Sequence, residues 1–268
     1  MEQKLARPNQ SVEKTLTIIE IMAEHKENMR LQDIAAKAGL PTSTALRLIN
    51  TLLRRGYVIQ DSTTLRYGLS LKLARLGTLV SSHLDLRELS HPILQRLSKQ
   101  CGESCSAAIR EGHQVVYIDV VDGPDSILRI TQRIGKSAPL YCTGIGKLFL
   151  SEDPALFREV LDTRPLTAFT PNTPVTEEAL ESQIAFAAGG LAYDNEECEL
   201  GVRCVAAPVR DYTGRMAAGI SISGPVHRLT DDYVARIVSE PLQAAAETLS
   251  RQLGYLPSAK NDDREPLS

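Results

Sequence analysis

Hydrophobic residues recur at helical spacing three times before residue 55. Behind Ser11, a predicted N-cap, Val12, Leu16, Ile19 and Ala23 form one stripe. Leu31, Ile34, Ala35 and Ala38 repeat at i, i+3, i+4 and i+7 and stop at Gly39. A third helix is predicted after Pro41, with Thr42 or Ser43 available as its cap. Ala45, Leu48, Ile49 and Leu52 share one of its faces, and Ser43, Arg47, Asn50 and Arg54 fall opposite. Gly39-Leu40-Pro41 suits a tight turn between helices. Residues 56–70 then read as two short strands around an Asp61-Ser62-Thr63-Thr64 turn.

Residues 69–100 are helix-rich, with interruptions predicted near Gly77 and Pro92. Leu69, Leu73, Leu76 and Val80 make an apolar stripe. It suits either a dimerising connector or docking against the chain's own second domain. Further on, residues 104–110 and 115–121 alternate as strands around a Glu111-Gly112-His113-Gln114 turn, and Ile127–Thr131 suggests a third strand. Helical patterns cover 145–161 and 177–188. Strands 202–209 and 215–223 flank Asp211-Tyr212-Thr213-Gly214, and 229–253 reads as one closing helix. Strands interleaved with helices and joined by hairpins predict an α+β fold with an antiparallel sheet. The expected organisation is a first domain of three helices and a hairpin over 1–70, a linker helix over 71–88, a second domain over 89–257 and a disordered polar tail over 258–268.

Composition narrows the class. The chain has 268 residues, 43% hydrophobic and 24% charged, an ordinary globular mixture. No apolar run approaches the roughly 18 residues a membrane span needs, and residues 1–10 are too polar for an export signal. Five scattered cysteines, an odd number, suggest reduced thiols and a cytoplasmic protein. The net charge of −3 hides an asymmetry: residues 1–75 hold 12 Lys/Arg against 7 Asp/Glu, and residues 76–268 hold 18 against 26. A basic first quarter with a polar helix face points to nucleic acid. Thr42, Ser43 and Thr44 with Arg47, Asn50 and Arg54 suit base edges and phosphates, and Arg66 sits where a wing would reach the backbone or minor groove. A solvated helix face is the plainer reading of the same residues.

Candidate chemistry lies later. Residues 139–148 (PLYCTGIGKL) place two glycines and a lysine where a loop becomes a helix, a carboxylate cradle or an ordinary tight turn. The stretch fails the phosphate-loop and dinucleotide patterns at Tyr141, Leu148 and Phe149. Asp194, Glu196, Glu197 and Glu199 crowd ahead of a strand carrying Cys204, either as a solvated loop or as ligands and acid–base groups. Ser221 and Ser223 share a strand face at period two. None of the five histidines falls in these motifs, and Cys101 and Cys105 are spaced one residue too far apart for a redox pair. No catalytic set assembles, and no metal or cofactor is implied.

These motifs together identify a resemblance. From about Ser11 to Tyr255 the chain resembles the IclR family of bacterial transcription regulators. The likeness rests on SVEKTLTIIEIM, LQDIAAKAGLPTSTALRLINTLLRRGYV, RYGLSLKLARLG, RIGKSAPLYCTGIGKLFLS and DNEECELGVRCVAAPVRDYTGRMAAGISISGP. It implies a winged helix-turn-helix, a linker helix and a GAF/PAS-like effector domain. Members act on palindromic promoter DNA as homodimers or dimers of dimers, often as repressors, with small organic acids as effectors. Carried over position by position, the effector contacts are Gly144, Ile145, Asp194, Cys204, Ser221 and Ser223. Cys204 follows Asp194 by ten residues and the serines by 27 and 29. Tyr141 replaces a histidine common in the family, and Ile145 a smaller residue. The YCTGIGK stretch looks most like members that respond to sugar-derived acids.

Overall fold

The computed structural model describes residues 9–25, 27–81, 85–124, 133–163 and 165–256. Internal contacts divide the chain into two units, Met1–Leu84 and Asp85–Ser268.

The first unit holds α1 (Gln10–Glu24), α2 (Leu31–Lys37), α3 (Thr42–Arg54), β1 (Val58–Gln60), β2 (Tyr67–Leu69) and α4 (Lys72–Ser81). Asn9, not Ser11, caps α1: its backbone is extended and its side chain accepts from the amides of Ser11 and Val12. Neither Thr42 nor Ser43 caps α3. Pro41 occupies that position, and its carbonyl takes the first helical bonds, from Thr44 and Ala45. Ile18, Met22, Ile34, Ile49, Leu52, Val58 and Tyr67 form the core of the three helices and the hairpin. The hairpin turn is held by Asp61, which accepts from the amides of Thr63 and Thr64. Those bonds hold its carboxyl below the ordinary aspartate value. Contrary to the sequence-based expectation, α4 runs unbroken through Gly77. One glycine costs a helix only about 1 kcal/mol, too little to break it. The side chain of Val80, at the end of the predicted stripe, lies outside the described residues.

The second unit begins with α5 (Leu86–Cys101), which also runs through its predicted break, at Pro92. Burial of Ile93, Leu94 and Leu97 outweighs the hydrogen bond that proline forfeits. Six antiparallel strands follow: β3 (Ser104–Glu111), β4 (Gln114–Val121), β5 (Ser137–Pro139), β6 (Ala192–Asn195), β7 (Val202–Arg210) and β8 (Met216–Pro225), ordered β5-β4-β3-β8-β7-β6. The two predicted hairpins form and join through β3–β8 pairing. The edge strands β5 and β6, three and four residues long, are too short to show alternation in the sequence. The strand expected at Ile127–Thr131 and the tail over 258–268 lie outside the described residues.

Helices cover both faces of the sheet. On one, α5 and the C-terminal helices bury Val205, Ala207, Ile220 and Ile222. On the other lie α6 (Gly144–Glu152), α7 (Pro154–Asp162) and α8 (Glu177–Ala187), which pack with Ala108, Tyr117, Ala192 and Ala206. The predicted 145–161 helix is thus two, separated at Asp153, which caps α7. The closing helix is likewise composite: α9 (Asp231–Tyr233), a π turn (Val234–Val238) and α10 (Ser239–Gln252). Pro241 near the start of α10 cannot donate to the carbonyl of Ile237, and the π turn absorbs the mismatch. That carbonyl accepts from the Cys101 thiol instead.

Candidate functional site

The first candidate surface is one face of α3. Ala45, Leu48, Ile49 and Leu52 are buried, which turns Ser43, Arg47, Asn50 and Arg54 outward together. These four line a shallow groove with Leu46 and Leu53. Thr42 is exposed at the first turn, and Thr44 is half-buried. Arg66 lies on the hairpin as expected, but one guanidinium nitrogen donates to the carbonyl of Asn28 at 3.3 Å. Lys72, which sequence reasoning did not single out, donates to the carbonyl of Arg55 and lies over the Tyr57 ring. It ties the start of α4 to the end of α3.

The second candidate site is built by strand register. Asp194 on β6 stands opposite Cys204 on β7, Cys204 opposite Ser223 on β8, and Ser223 opposite Ser104 on β3. One pleat further along, Ala192, Ala206, Ser221 and Ser106 form a second row. Directly opposed residues point to the same face, so both rows face α6. Ser106 and Ser221 share a hydrogen bond of 2.9 Å, and Ser223 donates to the Cys204 sulfur at 3.0 Å. Ser104 accepts from the amide of Gly123.

Glycines set how closely α6 approaches this face. A Cβ on Gly144 would lie 3.1 Å from Ala206 and 3.2 Å from the carbonyl of Ala192. Ile145 is accommodated by Gly219, where a Cβ would lie 2.6 Å from its side chain. The bulk of Ile145 is therefore taken up by a missing side chain on β8. Gly146 is the tightest, at 2.2 Å from the carbonyl of Leu140. Thr143 caps α6 by accepting from the amide of Gly146. Tyr141 turns its hydroxyl to Thr167, donating to its carbonyl and accepting from its amide.

The acidic cluster separates into two kinds. Asp194 and Glu197 are buried, while Glu199 is exposed. Asp194 accepts from the amides of Glu197 and Cys198 and so shapes the turn, in which Glu196 adopts φ +60°. Burial pushes the Asp194 carboxyl above its ordinary range, against the pull of those amides and of Lys147. Lys147 itself is fully buried, with its ammonium 2.5 Å from Glu197 and 2.6 Å from the carbonyl of Tyr193. The lysine of the glycine loop is committed to this ion pair. Burial also pushes the Cys204 thiol well above its usual value, with the Asp194 carboxyl adding to the effect, so the neutral form is favoured. The thiols of Cys142 and Cys198 lie 3.2 Å apart beside the same turn.

Register brings Asp194, Cys204, Ser221 and Ser223 onto one face, and α6 sets Gly144 and Ile145 against it. Sequence reasoning missed Ser104, Ser106 and Tyr117. Ser104 and Ser106 carried the same period-two signal as the later serine pair. Glu197 was noticed only as one of four carboxylates. No helix among the described residues is long and apolar enough to cross a membrane, and none of their His, Cys, Asp and Glu groups is arranged to hold a metal ion.

Comparison with known proteins covers both units. Residues 11–62 match the family model described as IclR helix-turn-helix domain, and residues 78–251 match Bacterial transcriptional regulator IclR C-terminal. The HTH-type transcriptional regulator XynR of Escherichia coli (strain K12) is 36% identical over 248 residues, 92% of this chain and 98% of that protein. The Transcriptional repressor IclR of the same organism is 32% identical over 89% of this chain and 88% of its own length. Among solved structures, the Thermotoga maritima IclR superposes with a TM-score of 0.60 at 31% identity, over 92% of this chain and 99% of that one.

Proposed function

Because this chain belongs to the IclR family of bacterial transcriptional regulators, we propose that it is a repressor whose hold on palindromic promoter DNA is modulated by a small organic acid. On this reading it acts as a homodimer or dimer of dimers. Thr42, Ser43, Thr44, Arg47, Asn50, Arg54 and Arg66 contact DNA, and α4 connects reader to sensor. Gly144, Ile145, Asp194, Cys204, Ser221 and Ser223 contact the effector. The reading is carried by one observation: four of these six residues occupy adjacent register rows directly beneath the helix that bears the other two.

The chemistry of that face favours a sugar-derived acid. Its polar groups are mostly hydroxyls, from Ser106, Ser221 and Ser223, with one carboxyl at Asp194. Serine hydroxyls and the first amides of α6 suit a ligand carboxylate, each charge-assisted bond contributing roughly 1.5–3 kcal/mol. Asp194 accepts from a ligand hydroxyl. The name of the Transcriptional repressor IclR supports repression as the direction of control.

The test is fluorescence anisotropy of labelled DNA from upstream of the gene and its neighbouring operons, at fixed salt, with a panel of sugar acids and shorter carboxylates. One acid should shift specific affinity by about 5–150-fold, the usual range of allosteric coupling. Arg47→Ala should weaken operator binding and relax its sequence preference by about 1–3 kcal/mol. Specific binding that no acid moves would refute the effector chemistry, and unchanged binding in Arg47→Ala would refute the reading face.

A further inference from the structure

A separate cavity of about 350 Å³ lies at the edge of the sheet, between α8 and β6. It wraps that edge: Tyr193, Asn195 and Arg203 come from the strand sides opposite Asp194 and Cys204, while Lys147, Gln183 and Phe186 come from the helices that cover the Asp194 side. Phe186 and Tyr193 form an aromatic wall, with ring centroids 5.5 Å apart. The Arg203 guanidinium lies 5.3 Å from the Tyr193 ring centroid. It donates to Asp231 at 2.6 Å and to the carbonyl of Leu229 at 2.8 Å.

Two polar atoms in this cavity are buried without a hydrogen-bond partner among the described residues: Oε1 of Gln183, an acceptor, and Nε of Arg203, a donor. Leaving such atoms unpaired is costly, because each has given up its water partners. The charges lining the cavity are already balanced. Lys147 is paired with Glu197, and Arg203 with Asp231. This balance does not favour a net anion, in contrast to the acid-binding role proposed for the Asp194 and Ser221 rows.

We infer that this cavity is a second small-molecule site, taking a planar, uncharged ligand that presents a hydrogen-bond acceptor beside a donor, as a carboxamide or nitrogen heterocycle does. The ring lies along the aromatic wall, the ligand's acceptor receives Arg203 Nε–H, and its N–H donates to Gln183 Oε1. A single-ring amide suits the volume, which is at the small end of ligand pockets. The site also touches the turn beside the first one. Lys147 bonds both the Tyr193 carbonyl and Glu197, and the amide of Glu197 is held by Asp194.

Calorimetric titration of the full chain with nicotinamide, benzamide and adenine tests the inference. At least one probe should saturate, and Phe186→Ala and Gln183→Leu should each weaken it about tenfold, or ~1.4 kcal/mol. Ser221→Ala, on the central strand β8 and outside the cavity's lining, should leave that binding unchanged. Phe186 is exposed and Gln183 only half-buried, so both variants should keep the fold, which circular dichroism verifies. Failure of all three probes to saturate at millimolar concentration overturns the site, as does binding that either variant leaves unchanged or that Ser221→Ala abolishes.

Discussion

Asp194 keeps its carboxyl inside the protein with two backbone amides as partners, and burial raises its affinity for a proton. The sign for stability follows. Above the ordinary aspartate value of 3.8 the unfolded chain has lost this proton while the native state still holds it. Stability therefore falls as pH rises through that window, and a constant penalty remains above it. Asp194→Asn keeps an acceptor for the turn and removes the ionisation. Urea midpoints between about pH 4 and 7 should decline less steeply in this variant than in the parent. Burial raises the Glu197 carboxyl too, against the pull of Lys147, with which it forms a buried ion pair. Lys147→Met strands a buried carboxylate and should cost about 3–5 kcal/mol of unfolding free energy. Adding Glu197→Gln should recover part of that loss, and a double-mutant cycle by urea denaturation measures it.

Glycines show how an element's surroundings decide its tolerance. Gly146 in α6 is hemmed in by backbone: a Cβ there would lie 2.4 Å from Leu140 Cα and 2.2 Å from its carbonyl oxygen. Backbone cannot swing aside, so Gly146→Ala should displace α6 and cost about 1–3 kcal/mol or more in chemical unfolding. A Cβ on Gly77 in α4 would meet nothing within 4 Å among the described residues, and its φ lies outside the left-handed region. Gly77→Ala should stabilise α4 by about 0.5–1 kcal/mol, read as a gain in helical circular dichroism. Gly219 and Ile145 form a matched pair across α6 and β8. Gly219→Ala alone should be destabilising, and Ile145→Ala in the same chain should restore much of the loss.

For the whole molecule, the charge asymmetry follows the division into units. Residues 76–84 carry no charged side chain, so the basic excess belongs wholly to Met1–Leu84. Among the described residues the cores divide the same way, one cluster in the first unit and two in the second, with no member shared. The fragment 85–268 should fold on its own with a cooperative urea transition and should bind no promoter DNA. A fragment that fails to fold would show that the first unit supplies part of the second's stability.

Local periodicity by itself determined the helices of the first unit, the two long hairpins and the exposed face of α3. Each of these depends on contacts within a few residues. Helix ends escaped it, because Asn9 and Ser11 are both competent caps and only the backbone path selects one. The break expected at Gly77 failed because one glycine is too small a penalty to end a helix, and that at Pro92 because tertiary burial in α5 outweighs the local cost. The family resemblance implied that Asp194, Cys204 and Ser223 contact one effector, but only strand register sets Asp194 opposite Cys204 and Cys204 opposite Ser223. The fate of Lys147 was decided by tertiary structure alone. Its partner is 50 residues away, and nothing in the glycine loop distinguishes a lysine that faces a ligand from one buried against a glutamate.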